Sequence, residues 1–140
     1  MNIIEKHKDN KLDNDTDLIN VACLMIHAAK IDENYTDKEK KIIKETLTKL
    51  GNNEDLDKLI SEAEKKESDS NHIQDFTKNI KAMDKENKIE IIKNIWGIIL
   101  SDGNSDIYEE NLMRRLAGLL YVDTKIMGDI KLDIKNKQKQ

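Results

Sequence analysis

The chain has no proline in 140 residues. Proline is the residue that most firmly interrupts a helix, because it lacks an N–H and clashes with the preceding turn. Without it, local order is set by spacing and caps. Twenty isoleucines and many Lys, Glu and Leu residues recur at three- and four-residue intervals, and no stretch sustains the apolar–polar alternation of a half-buried strand. The expectation is an all-α fold, a compact bundle of about seven helices, with short polar connections that favour antiparallel neighbours.

Helix ends can be placed from their chemistry. Asp15 or Thr16 is positioned to cap a first helix ending near Ile31, with Leu18, Val21, Ala22, Met25, Ala28 and Ala29 on one face. Thr36 and Glu39 have capping-box spacing for a second helix, which Gly51 stops after Leu50. Asn53 is expected to open a third, with Leu56, Leu59, Ile60 and Ala63 facing inward; Asn71 with Gln74 is expected to open a fourth. Asp84 starts a fifth whose Ile89, Ile92, Ile95, Trp96, Ile99 and Leu100 are dense enough to predict the centre of the bundle. Asp106 with Glu109 repeats the capping box for a sixth helix, and Asp123 opens a seventh carrying Ile126, Ile130 and Ile134. The domain therefore reads as residues 15–134, between an N-terminal arm, 1–14, and a basic tail, 135–140.

Charge and composition narrow the function. With 24 basic against 28 acidic residues and five aromatics, the chain lacks the basic face and stacking platforms of a nucleic-acid binder. One cysteine, Cys23, excludes an internal disulfide framework and any multi-thiolate zinc site. No apolar run approaches the roughly 20 residues that span a bilayer, and the first ten residues have no apolar leader core. The cytoplasm is the expected compartment. Lys135, Lys137 and Lys139 suit a solubilising end, with peripheral membrane association as the alternative.

A repeat is the most informative feature. Placing Asp32 on Asp102 aligns residues 25–50 with 95–120 at a constant offset of 70, so that Asn34 meets Asn104, Thr36 meets Asp106 and Glu39 meets Glu109. In each half an apolar helix runs into an Asp, crosses a polar turn and meets a Glu seven residues later. An internal pseudo-twofold axis would let the four carboxylates converge. Hard cations such as Ca²⁺ or Mg²⁺ take oxygen ligands, and Asp32, Glu39, Asp102, Asn104, Asp106 and Glu109 form the candidate metal set. An EF-hand is excluded, because Ile107 and Met113 fall where its glycine and bidentate glutamate would stand. The competing reading is structural: N3 glutamates cap helices and favour the dipole, and Asp32 and Asp102 suit Asx turns.

The segments Ala28-Ala29-Lys30-Ile31-Asp32 with Glu39, and Trp96 leading into Leu100-Ser101-Asp102-Gly103 with Glu109 and Arg114-Arg115-Leu116-Ala117-Gly118-Leu119-Leu120, resemble the TerB-like tellurite-resistance domain. That domain also stands at the front of a membrane-anchored DnaJ-type co-chaperone. Glu33 occupies a position where the pattern has glycine. The resemblance covers roughly residues 15 to 130 and implies about seven helices with internal pseudo-symmetry. It also implies an acidic site that chelates metal in bacterial stress or tellurite-response systems, and it establishes no enzymatic activity.

Other chemistry is sparse. His27, amid apolar residues, reads as a boundary or core histidine; His7 and His72 read as surface residues, and Cys23 as a small semi-buried side chain. Trp96 with Met25, Met113 and Met127 reads as core, with a groove as the alternative. No phosphate loop, nucleophile elbow or zinc-protease motif is present, which disfavours an enzyme. The expected role is a non-enzymatic, cation-binding sensor or adaptor with a protein partner. Its rival is a helical interaction module whose acidic turns only cap helices, and a hydrolase using paired carboxylates is a third class. Oligomeric state is not encoded in any of these features.

Overall fold

The structure, a computed structural model, describes residues 12, 14–31, 33, 35–51, 55–102 and 105–138, with Asp102 described by its backbone alone. Those residues form seven α-helices and no strand: α1 (Asp15–Ile31), α2 (Asp37–Leu50), α3 (Leu56–Asp69), α4 (Gln74–Ile80), α5 (Lys85–Ile99), α6 (Ile107–Leu119) and α7 (Thr124–Gln138). A single 3₁₀ turn, Leu100–Asp102, continues α5. The all-α expectation holds.

The centre of the bundle is α1, not α5. Residues Val21 to Ile26 are buried without interruption, along with Leu18, Asn20, Ala28 and Ala29, and α1 packs against α2, α3, α4, α5 and α6. A helix apolar nearly all round must be enclosed on every side, and the one-face reading of α1 missed Leu24 and Ile26. Its alanines and Cys23 leave room for close neighbours: the Cys23 thiol lies 3.4 Å from the Ala63 carbonyl oxygen on α3. α5 buries Ile91, Ile92, Ile95, Trp96, Ile98 and Ile99 against α1, α2 and α7, but Lys85, Glu86 and Lys93 face solvent.

Local chemistry explains most helix ends. At the start of α1 the cap is Asn14, whose Oδ1 accepts from the Thr16 N–H at 2.8 Å; Asp15 and Thr16 already lie inside the helix. Asp55 caps α3, accepting from Lys58 N–H at 3.1 Å, whereas Asn53 lies outside the described residues. The capping box expected at Asn71 and Gln74 is not formed. α4 instead begins behind Ile73 with no side-chain cap, and Ser70 Oγ bonds the Asp75 carboxylate and the His72 carbonyl oxygen. Asp123 Oδ1 accepts from Lys125 N–H at 2.8 Å as α7 begins. α7 then continues through Lys135 and Lys137, residues assigned to the basic tail, and Gln138 Nε2 donates to the Leu100 carbonyl oxygen at 2.8 Å.

Leu12 reaches back from the N-terminal side, its N–H donating to the Leu50 carbonyl at 2.6 Å in a short parallel bridge with Gly51. Gly51 is extended, at φ −157°, so its role is close approach rather than unusual backbone. A Cβ there would stand 2.5 Å from the Leu12 carbonyl oxygen and 3.1 Å from a Leu18 methyl. Gly51→Ala is expected to destabilise the fold by about 1–3 kcal/mol, the usual range for overpacking, read as a lowered urea midpoint with unchanged m-value.

Candidate functional site

The capping boxes expected at Thr36 with Glu39 and at Asp106 with Glu109 are both closed. At α6, Asp106 Oδ1 accepts from the Glu109 N–H at 2.8 Å, and Glu109 Oε1 accepts from the Asp106 N–H at 3.0 Å. At α2, Glu39 Oε1 accepts from the Thr36 N–H at 2.9 Å and also from the Thr36 hydroxyl. The three backbone bonds satisfy N–H donors that the start of a helix leaves unpaired, and each carboxylate sits at the positive end of a helix dipole. Glu39 and Glu109 are nonetheless almost fully buried, at 3% and 1% exposure. A buried carboxylate is tolerated only with such compensation.

The fold brings the two turns to one end of the bundle. α2 packs on α5 and α6 packs on α1, so the second helix of each aligned segment lies against the first helix of the other. Lys38, in the first turn of α2, donates through Nζ to the Ser101 carbonyl oxygen at 3.3 Å, joining the start of α2 to the 3₁₀ turn that ends in Asp102. The C-terminal end of α1 meets α6 across a cleft of about 410 Å³ lined by His27, Ile31, Tyr108 and Leu112. Asp32 and Asn104 lie outside the described residues, and only the backbone of Asp102 is described. Of the six candidate ligands the described residues therefore join Asp106 to Glu109 directly and place Glu39 in the neighbouring turn. Among the described residues, no group of three or more His, Cys, Asp or Glu side chains could hold a metal ion.

Glu33 has φ 55°, in the left-handed region. Side chains there crowd the backbone by roughly 1–2 kcal/mol, and glycine does not. The first turn thus takes a glycine-like conformation at the position where the TerB-like pattern has glycine.

Sequence reasoning missed a set of charges between α1 and α3. Glu67 receives both Lys30 Nζ, at 2.6 Å, and His27 Nδ1, at 3.3 Å, while Lys40 lies 3.7 Å from Glu64 and 5.1 Å from the centre of the Tyr35 ring. Burial raises the Tyr35 hydroxyl above its ordinary range, and the Glu64 and Glu67 carboxylates push the same way. His27 is therefore held by a carboxylate at the boundary of the core, as its surroundings in the sequence implied. The available signal was slight: His27 and Lys30, spaced by three, share one face of α1, where a single acid on a neighbouring helix can meet both. Cys23 is fully buried, and burial raises its thiol to about 11, so it is not an activated nucleophile.

Seven described helices, one of them an apolar centre against which five others pack, with two capped acidic turns at one end, define a class of small helical domain in which the turns are the distinguishing feature. The family model for tellurite resistance protein TerB matches residues 18–132, and the chain belongs to that family. Neither the curated proteins nor the solved structures contain a match. No described helix is long and apolar enough to cross a membrane.

Two measurements check this geometry. Asp106→Ala removes the side-chain half of the α6 cap and is expected to cost about 1 kcal/mol, within the 0.5–2 kcal/mol range of such losses, in urea unfolding. The raised Cys23 thiol favours the folded state only while the unfolded thiol is also protonated. Folding stability is expected to fall as pH rises from the ordinary thiol range towards about 11, and Cys23→Ala is expected to flatten that decline.

Proposed function

We propose that the protein is a non-enzymatic TerB domain that binds a divalent cation, Ca²⁺ or Mg²⁺, through its two acidic turns. In this reading it acts as a sensor or adaptor for a protein partner in a cytoplasmic stress system of the tellurite-resistance type. The observation that carries the reading is the contact between the turns, Lys38 Nζ to the Ser101 carbonyl, which sets the start of α2 beside the turn ending in Asp102. The oxygen ligands would come from Asp32 and Glu39 on one side and Asp102, Asn104, Asp106 and Glu109 on the other. That donor set suits hard cations. The capping bonds fix Glu39 and Glu109 in single orientations, so capping and coordination are compatible roles for one carboxylate. Among the described residues, Cys23 is buried with a raised thiol and His27 is engaged by Glu67, so these two do not form a nucleophile–base pair.

Thermal unfolding of chelator-treated protein with Ca²⁺, Mg²⁺, Mn²⁺ and Zn²⁺ in turn tests the reading. One ion is expected to raise stability saturably, by about 2.7 kcal/mol at a hundredfold excess over its Kd, and the rise is expected to vanish in the Asp32→Asn, Asp102→Asn double variant. No shift at millimolar ion in the parent would leave the turns as helix caps and favour the interaction-module reading.

A further inference from the structure

Across α6 from the His27 cleft, a second opening of about 260 Å³ lies between α5, α6 and α7, and its residues take no part in the acidic turns as assigned above. Trp96, Met113 and Met127 give it apolar walls, and Glu110, Arg114 and Lys131 bring charge to it. We propose that this cleft binds a small apolar monocarboxylate.

Three observations support that chemistry. The first is an unmet donor: Trp96 lines the cleft and is 3% exposed, and its indole N–H, closed off from solvent, has no hydrogen-bond partner among the described residues. Buried indole donors ordinarily find an acceptor, so the gap calls for an explanation. The second is charge. Lys131 pairs with Glu110 and stands 5.3 Å from the centre of the Trp96 ring. Arg114 donates to Asn111 Oδ1 at 3.0 Å and meets no carboxylate among the described residues, which leaves one positive charge in excess at the cleft. The third is Gly128, which lines the cleft from within α7. Glycine weakens a helix interior, and a Cβ at this position would meet nothing within 4 Å, so packing does not require it. A side chain there would narrow the opening. Apolar walls, an unmet N–H and a surplus cation are together complementary to an anionic oxygen acceptor on a short hydrocarbon body. Entry requires Lys131 to swing off the indole, exchanging the Glu110 carboxylate for that of the ligand.

Trp96 is the only tryptophan in the chain and lines this cleft, so tryptophan emission reports on its wall. The test titrates the full chain with octanoate and, separately, with the neutral octanamide, following Trp96 emission and heat of binding. The expected result is a saturable emission change with octanoate and binding of octanamide weaker by about tenfold or more. Gly128→Leu is expected to abolish binding while the unfolding midpoint is kept or raised, and Arg114→Gln to weaken octanoate by about tenfold without altering octanamide. Absence of saturation with millimolar octanoate, equal binding of the two ligands, or undiminished binding in a folded Gly128→Leu would each overturn the proposal.

Discussion

Everything in this bundle is arranged around the burial of α1. Six consecutive residues, Val21 to Ile26, are removed from water, and no single flat layer can do that to a helix. Five other helices are recruited as walls, α4 among them although it is only seven residues long. The small side chains Ala22, Cys23, Ala28 and Ala29 decide how near those walls come, because each removes bulk where a neighbour crosses. Asn20 is the one polar side chain enclosed with them, and its Oδ1 accepts from Lys66 on α3, so even this interruption is anchored to a wall.

That enclosure also fixes where the acidic turns fall. α1 delivers its chain to the first turn at Ile31, and α6 must lie against α1 to complete the enclosure, which brings the start of α6 to the same end. α2 and α5 meet alongside, and Lys38 closes the gap to Ser101. The proximity of the turns therefore follows from core packing and needs no attraction between them. The carboxylates are then buried by position, and the capping boxes at Glu39 and Glu109 make that burial tolerable.

Much of this was legible in the residues, because caps and periodicity act locally. Thr36 with Glu39, Asp106 with Glu109, and Asp123 each act within a few residues of chain, and all three fall where spacing placed them. The misplaced features depend on tertiary context. α5 has the bulkier apolar side chains, but centrality is decided by how many sides of a helix are covered, and α1 is covered more fully because many of its residues are small as well as apolar. The box expected at Asn71 gives way to an uncapped start behind Ile73, which is buried in the core, while Ser70 ties the preceding turn to Asp75. Likewise, the Glu67 cluster depends on how α1 and α3 cross, information that neither helix carries alone.

The capped turns show why a structural and a ligand-binding role are hard to separate in a chain of this kind. A glutamate at N3 is held by the backbone amide of its own cap residue, so its orientation survives whatever occurs at the remaining turn atoms. That rigidity is what a coordinating group requires and what a plain cap also displays. The discriminating positions lie outside the capping boxes: Asp32 and Asp102 stand upstream of the caps in the sequence, so a variant there tests coordination without opening either box. Glu33 holds a left-handed backbone while the Thr36–Glu39 box stays closed.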